Sequence, residues 1–345
     1  MKSPRPLGAF YALLLVGFVS LPALHAQNLR TLIVNGWVDH KSSGGEMTEL
    51  YVGRTLVSGD TVITGSDGSA EFEYPGGSRI SVAPETVFSI RERSVQGRTQ
   101  SAVSATLGKL SFVFSQMAGA EPDIITPQAA CGIRGAALTV YTAADGSSLI
   151  VVESGAVEVE ALGETLLLGP SEGVEFRAGA RAGEPFSTLS GVIDYSDWNG
   201  RLTETMLSDP LPALGAMEAQ LGGLLDRMEL FYQDFLERQG EIRRRLDHEE
   251  ELRRQGRTGE AEEYYREEVR SLELENFDAI INVRFYALSA LSFRRHVLTG
   301  LYVRLKTLSL GASPVPGYPA FLTAYRRLIG DYETRVSPHL VQADI

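Results

Sequence analysis

The chain has 345 residues but only one cysteine, Cys131, so no disulfide can form within it. A small fold held together by disulfides is therefore excluded, and a chain of this length can bury a core large enough to be stabilised by packing. A lone cysteine in an oxidising compartment is either buried or pairs between chains. The small and apolar neighbours of Cys131 favour burial, because a free cysteine packs like a small hydrophobic residue.

Basic residues are also scarce, with 32 Lys and Arg against 44 Asp and Glu and a formal net charge of −12. Proteins that bind a phosphate backbone concentrate positive charge, so nucleic acid is not an expected partner. None of the histidines stands at metal-ligand spacing, and phosphate-binding, dinucleotide-binding and hydrolase nucleophile motifs are lacking. We therefore expect no metal, no cofactor and no enzymatic activity. The enzymatic alternative is an envelope hydrolase, which ranks third among the hypotheses for function. It requires His40 or His248 beside a buried carboxylate in a cleft.

Long apolar runs are limited to one, Leu7–Leu24, which follows Lys2 and Arg5. A short basic region, an apolar stretch and small residues are typical of a secretory signal peptide, with cleavage predicted after Ala26 or alternatively after Ala23. The protein is then exported to the periplasm or cell envelope and has no stable membrane span. An uncleaved anchor is the alternative, since about 18 apolar residues is the lower limit for crossing a bilayer.

The first half of the chain is rich in glycine and alternates in polarity. Residues 1–190 hold 23 of the 35 glycines. Ala70, Phe72 and Tyr74 alternate with glutamates, which predicts a strand with one buried and one solvated face. Similar short segments recur between turn signals, so we expect residues 27–190 to form an all-β domain, as an antiparallel sandwich, barrel or rolled sheet.

The second half, residues 191–345, changes to helical periodicity. Apolar residues recur every three or four positions, which predicts two long helices at about 211–255 and 260–309 and a shorter helix from Ala320 to about Arg335. Two long neighbouring helices indicate an antiparallel hairpin of coiled-coil type. The predicted fold class is α+β, with an N-terminal β domain and a C-terminal helical domain.

Two arginines interrupt the apolar stripe that we expect to form the seam of this hairpin. Arg284 and Arg295 occupy positions of the stripe from Leu274 to Leu305. A charge in such a seam must meet a partner, or the stripe must be exposed. Arg284 and Arg295 are therefore candidate partner-binding residues, for an envelope protein or for self-association through the hairpin. The mixed charges of residues 241–268 are either a solvated helix surface or a docking surface.

Two blocks of residues in the β-rich half match a known pattern in order and spacing. The first block contains Gly59, Asp60, Thr64, Gly65, Asp67, Gly68, Gly77 and Pro84, and the second contains Thr126, Pro127, Arg134, Gly135 and Gly155. Over about residues 55–177 the chain resembles the FecR domain family. It departs from that family where the usual Arg-Gly-Thr reads Arg134-Gly135-Ala136. We expect Asp60, Asp67 and Arg134 to cap turns or form surface ion pairs.

The resemblance implies a place in the bacterial envelope, since the family is named for an exported regulator of ferric citrate uptake. Family members that regulate sigma factors resemble two-compartment proteins with a cytoplasmic helical segment before a membrane span. Only six residues precede Leu7 here, so we expect no such output segment. The predicted function is non-catalytic: the β domain binds a ligand or partner, and the hairpin docks or oligomerises. The alternative is a membrane-anchored signalling regulator of FecR type.

Overall fold

A computed structural model describes residues 29–74, 76–115, 121–161, 163–189, 191, 193–311 and 315–340. The predicted signal peptide lies outside these residues. The β-rich part of the described chain contains fifteen strands: β1 Leu29–Asn35, β2 Val38–Lys41, β3 Met47–Glu49, β4 Thr55–Leu56, β5 Thr61–Thr64, β6 Ser69–Glu73, β7 Arg79–Val82, β8 Val87–Val95, β9 Arg98–Val113, β10 Asp123–Ile125, β11 Ala130–Thr142, β12 Ser148–Ala161, β13 Glu164–Leu168, β14 Glu172–Phe176 and β15 Phe186–Ser187.

The helical part follows the strands along the chain. Its elements are α1 Tyr195–Ser208, α2 Pro210–Arg254, α3 Thr258–Tyr264, α4 Arg270–Phe293, α5 Thr299–Ser309 and α6 Tyr318–Leu340. Two π-helical turns, Tyr265–Val269 and Arg294–Leu298, join α3 to α4 and α4 to α5 into one nearly continuous rod. Strands followed by helices give the predicted mixed α+β class. Within the described residues, no helix has the length and apolar character needed to cross a bilayer.

Three long strands, β9, β11 and β12, fold the hydrogen-bonded sheet over on itself. The first half of β9 pairs with β8, whereas its second half pairs with β7 and β11. In the same way, the first half of β12 pairs with β14 and its second half with β13. Each long strand thus contributes to both layers, and the buried apolar side chains of the strands form one core cluster. A sheet folded into two layers around one core is the arrangement predicted for a sandwich or rolled sheet.

Glycines permit the bends of these strands. Gly108, Gly135 and Gly155 have φ angles of +95°, +57° and +78°, in the region that L side chains rarely adopt. A Cβ at Gly155 would lie 2.6 Å from the carbonyl oxygen of Gly135, and one at Gly108 would lie 2.5 Å from Cα of Thr86. Two of the motif glycines, Gly135 and Gly155, therefore meet where β11 and β12 bend together.

Asp60 occupies the core rather than the surface. Its Oδ1 accepts a hydrogen bond from the backbone N–H of Ser43 at 3.1 Å, and Oδ2 accepts one from the N–H of Val57 at 3.1 Å. Oδ2 also lies 3.0 Å from Nε2 of His40, and both side chains are less than 5% exposed. Asp60 thus caps its turn, but it is buried beside His40 instead of forming a surface ion pair. The preceding Gly59 has φ +95°.

The next motif residues close the turns on either side of β5. The hydroxyl of Thr64 donates to the carbonyl of Ala83 at 2.8 Å and accepts from the N–H of Thr86 at 2.8 Å. The carbonyl of Pro84 in turn accepts from the hydroxyl of Thr86. These bonds fix the segment between β7 and β8 against β5, so Thr64 and Pro84 have structural roles.

A second group of motif residues surrounds Trp37. Oδ1 of Asp67 accepts a hydrogen bond from the N–H of Trp37 at 3.3 Å, and a Cβ at Gly68 would lie 2.1 Å from the carbonyl oxygen of Trp37. A Cβ at Gly65 would meet the indole ring at 2.6 Å. Gly77, in the turn between β6 and β7, has φ +88°. All four residues therefore shape turns.

Aromatic pairs and Cys131 fill the core. Phe72 and Phe88 meet edge to face with ring centroids 5.5 Å apart, and Phe112 stacks on Phe114 at 5.7 Å. Cys131 is fully buried, and burial raises the pKa of its thiol to about 12. The thiol therefore stays protonated at neutral pH, in agreement with the expectation that it is buried.

Helices α2 and α4 form an antiparallel hairpin. Arg227 bonds to Tyr286 near the sheet, whereas Arg245 pairs with Glu268 further along. The order of these partners reverses between the two helices, as an antiparallel pair requires. Helix α2 begins with Pro210, whose fixed φ suits a first turn, and ends before Gly256 at φ +78°.

The predicted seam of the hairpin holds at its C-terminal end, where Leu298 and Leu305 lie in the helical core, but was wrong at its N-terminal end. Leu274 and Phe277 of the predicted stripe are 49% and 55% exposed, and Arg284 and Arg295 are also exposed. The face of α4 in the helical core instead carries Val283, Ala287 and Ala290. Because α4 is buried against α2 on one side and the sheet on another, its apolar arc is wide. The largest side chains consequently do not mark the face that meets α2.

We predict that Gly155→Ala destabilises the protein far more than Gly163→Ala. Both residues have φ near +80°, but a Cβ at Gly163 meets no atom within 4 Å. The matched control should therefore lose only the backbone cost of about 1 kcal/mol, whereas Gly155→Ala should lose about 3 kcal/mol in the free energy of unfolding. Urea denaturation measures both values. Equal losses would contradict the close contact at the strand bend.

Candidate functional site

The helical part docks on the outer face of the sheet through polar groups. The N–H of Ser94 donates to Oδ1 of Asn282 at 2.9 Å, and Nδ2 of Asn282 donates to the carbonyl of Ser94 at 3.0 Å. The side chain of Asn282 thus pairs with the strand backbone as a neighbouring strand would. The hydroxyl of Ser94 also donates to Asp278 at 2.8 Å. These bonds fix the position of α4 over β8.

A buried guanidinium extends this contact. Arg91 is 5% exposed, and its Nη1 donates to the hydroxyl of Ser289 at 3.2 Å and to the carbonyl of Phe285 at 3.5 Å. Burial lowers the pKa of Arg91 to about 9, because the charged form loses its hydration. The hydroxyls of Thr106 and Ser292 meet at 2.9 Å. The interface is therefore polar over much of its length.

An aromatic cluster packs α1 against another part of the sheet. Tyr141 stacks on Tyr195 with centroids 5.6 Å apart and meets Trp198 edge to face. Nε1 of Trp198 donates to Glu175 at 3.0 Å. These contacts fix the start of the helical part against β11 and β14, because aromatic pairs add specific geometry to their buried area.

Beside the polar attachment lies a cleft of about 650 Å³, lined by both parts of the chain. The sheet contributes the turn between β10 and β11, and the helices contribute one face of α2 and one of α4. Its apolar lining includes Ile125, Ala129, Leu224, Phe231, Phe285 and Phe293. A concave site that combines apolar area with polar groups is suited to bind a small molecule or a peptide segment.

Two glutamines close one end of the cleft. Nε2 of Gln220 on α2 donates to the carbonyl of Pro127, and Nε2 of Gln128 donates to Oε1 of Gln220 at 2.9 Å. The hydroxyl of Thr126 shapes the turn by accepting from the N–H of Ala129 at 2.9 Å. Two predicted motif residues, Thr126 and Pro127, thus line the cleft, and Pro127 contacts the helical part.

A cation and two aromatic rings define another part of the lining. Tyr286 stacks on Phe231 with centroids 5.7 Å apart, and Nη1 of Arg227 donates to the hydroxyl of Tyr286 at 3.2 Å. The guanidinium of Arg227 also lies 5.7 Å from the centre of the Tyr286 ring. This arrangement offers a flat apolar surface beside an exposed positive charge.

Comparisons with known proteins identify the β-rich part. The model of the family FecR, described as FecR protein, matches residues 60–158. These residues form a FecR domain. The match starts at Asp60 and includes both predicted motif blocks apart from Gly59. The search of curated proteins found no match.

Two solved structures are similar to this chain. Both are crystal structures described as a "putative anti-sigma factor" from Parabacteroides distasonis ATCC 8503, each 19% identical and each covering 41% of this chain. Their TM-scores are 0.32 and 0.30. The matched region spans 64% and 62% of the two solved chains.

The FecR domain brings only some of the predicted site residues to the cleft. Gly59, Asp60, Thr64, Gly65, Asp67, Gly68, Gly77, Pro84, Gly135 and Gly155 serve turns, bends or the core. The side chain of Arg134 lies outside the described residues. Sequence reasoning missed Gln128, Gln220, Phe231 and Tyr286, which come from distant segments. Only the spacing of Gln220 and Phe231, which places both on one face of α2, could have suggested that they line the same site.

Neither of the histidines that the hydrolase hypothesis names lines the cleft. His40 lies beside a buried carboxylate, as the hydrolase hypothesis required, but the pair is buried in the β-rich part and does not line the cleft. His248 packs edge to face on Tyr264 at the distal end of the hairpin. In the described part of the chain, no group of three or more His, Cys, Asp and Glu is placed to hold a metal ion.

His296 makes the docked interface sensitive to pH. Burial, with the charges of Arg295, Lys41 and Arg91, lowers the pKa of His296 to about 4 from an ordinary value of 6.5. The unfolded chain therefore binds more protons than the folded chain between these values. The stabilising contribution of neutral His296 is complete above pH 6.5 and is lost as the pH falls towards 4.

We predict that wild-type protein loses up to about 3 kcal/mol more unfolding free energy than His296→Gln when the pH falls from 7 to 4. Gln removes the titrating ring while keeping a polar side chain. Chemical denaturation at a series of pH values measures the difference. His248→Gln, which changes an exposed histidine on the hairpin, should follow the wild type. The same pH dependence in wild type and His296→Gln would contradict the assignment.

Proposed function

We propose that this FecR-domain protein is a non-catalytic, exported protein of the cell envelope that binds a ligand or partner segment in the cleft between its two parts. The observation that carries the proposal is the cleft of about 650 Å³, which the FecR domain and helices α2 and α4 line together. The distal part of the hairpin, which carries ion pairs such as Arg245–Glu268, serves as a docking or oligomerisation element.

The chemistry of the lining supports binding rather than catalysis. The polar groups at one end, Gln128 and Gln220, are neutral amides that already have hydrogen-bond partners. The aromatic pair Phe231 and Tyr286 offers apolar area, and Arg227 adds a charge that suits an acidic group. These are properties of recognition sites, in which a few polar groups orient a ligand on an apolar surface.

Two glycines of α2 provide a matched test. Gly223 lines the cleft, whereas Gly240 is an exposed residue further along the same helix that does not line it. Neither position has an atom within 4 Å of an added Cβ. Both substitutions by Trp should therefore be accommodated, and both replace a poor helix former. Only Gly223→Trp places a large side chain in the cleft.

We predict that a photo-crosslinking amino acid at position 286 captures a specific partner in intact cells. Gly223→Trp should reduce this crosslink at least about tenfold, because a loss of 1.4 kcal/mol already gives that factor. Gly240→Trp should leave it unchanged. The mass of the product separates an envelope partner from a second copy of the chain. Equal crosslinking in both variants, or none in the unmodified background, would contradict binding in the cleft.

A membrane-anchored signalling regulator is the second candidate, favoured by the FecR match at residues 60–158. It requires the apolar run of residues 7–24 to stay in the bilayer. Cell fractionation distinguishes the two: a regulator stays with the membrane at the size of the whole chain, whereas the first proposal yields processed protein in the periplasm. Arg284 and Arg295 remain candidate partner-binding residues in both cases, since both are exposed.

A further inference from the structure

A group of positive charges lies where the end of α4 crosses the sheet. Lys41 on β2 pairs in register with Thr61 on β5, which pairs with Ser89 on β8. The hydroxyls of Thr61 and Ser89 meet at 2.9 Å, so these side chains share one face of the sheet. Arg91 follows Ser89 by two residues and therefore points to the same face. Lys41 and Arg91 are thus on the outer face, towards α4.

The helix brings two further groups to this face. Arg91 is anchored to Ser289 of α4 by a hydrogen bond of 3.2 Å. Two turns further on, the π-helical turn Arg294–Leu298 carries Arg295 and His296. The charges of Arg295, Lys41 and Arg91 all act on His296, and Arg295 also acts on Lys41. His296 therefore lies within electrostatic range of the other three residues, and these four are here called the cationic cluster.

In the described part of the chain, the positively charged groups of the cluster have no carboxylate at ion-pair distance. Among the described residues, no ion pair within 4.0 Å involves Lys41, Arg91 or Arg295, although sixteen such pairs are present. The carboxylate of Asp39, on the same strand as Lys41, accepts a hydrogen bond from Trp37 instead. The carboxylate of Asp278, on α4, accepts from Ser94.

Arg91 shows the imbalance most clearly. Its side chain is 5% exposed, yet its Nε has no hydrogen-bond partner within the described part of the molecule. A buried charge without an opposite charge is costly, and native proteins rarely leave a buried donor unsatisfied. In a chain with twelve more acidic than basic residues, four neighbouring basic groups without an acidic partner call for an external anion.

We infer that the cationic cluster of Lys41, Arg91, Arg295 and His296 binds an oxyanion of the phosphate class. Lys41, Arg295 and His296 are partly or fully accessible and can contact the anion, whereas Arg91 supports it from the buried side. Phosphate oxygens accept several charge-assisted hydrogen bonds at once, which suits basic groups carried by a strand and by the helix that packs over it. The source is free phosphate or the headgroup of an anionic phospholipid.

Inorganic phosphate is the probe for the first source. The purified protein is titrated with inorganic phosphate at constant ionic strength, and NMR monitors the His296 ring. The titration should show saturable binding and a rise in the pKa of His296. Lys41→Gln and Arg295→Gln should each weaken binding at least about tenfold. Arg243→Gln, which removes an exposed arginine of the hairpin, should leave it unchanged. These sites are not fully buried, so the variants are expected to fold.

Vesicles test the second source. A lipid headgroup is the ligand if the protein co-sediments with phosphatidylglycerol vesicles but not with phosphatidylcholine vesicles. This co-sedimentation should be lost in Arg295→Gln and kept in Arg243→Gln. Saturable binding of free phosphate without vesicle binding would identify the small anion. Absence of both, or binding that is equal in all variants, would overturn the inference. The crosslinking test of the cleft uses other residues, so the two proposals can fail separately.

Discussion

The bending of three strands at glycine is the constraint on which the rest of this molecule depends. If β9, β11 and β12 ran straight, the sheet would be open and its apolar inner face would have no second layer. The left-handed glycines turn each strand, and at β11 and β12 the two bends contact each other so closely that Gly155 tolerates no side chain. Folding the sheet over closes the core of the FecR domain and leaves an outer face free for the helices.

The outer face is polar, and this decides how the helical part attaches. A purely apolar interface would allow α4 to slide along the sheet with little change in energy. The amide pairing between Asn282 and Ser94 and the buried Arg91 each require one position of the helix, because a shift would leave buried donors without acceptors. The interface therefore contributes less to stability per unit area than an apolar one but defines the geometry of the cleft.

Much of the FecR domain could be predicted from sequence because its signals are local. Alternating polarity marks strands, and residues such as Gly65 and Asp67 act through backbone conformation within a few residues. The two long helices and the break at Gly256 were also readable from periodicity. The motif gives the position of Asp60 but not its buried contact with His40, since that contact depends on how β2 meets β5.

The cleft and the docking of the helices could not be predicted for a physical reason. Gln128 and Gln220 are 92 positions apart, and Arg91 and Ser289 are 198 apart, so no local pattern links them. The seam was misjudged because Leu274 and Phe277 are larger than Ala287 and Ala290, whereas close helix packing selects small residues. Apolar size alone does not show which side of a doubly covered helix meets which neighbour.

Because the cleft lies between the sheet and the helices, ligand binding affects how these two parts are docked. A ligand held between two parts of a chain contacts both, so it stabilises the arrangement in which they are docked over any arrangement in which they are apart. The cationic cluster lies along α4 from the cleft, and Arg91 and Ser289 connect the sheet to that same helix. If a ligand in each proposed site contacts both the sheet and α4, occupation of either site favours the docked state. The two sites are then coupled through the position of α4, and the coupling must be equal in both directions.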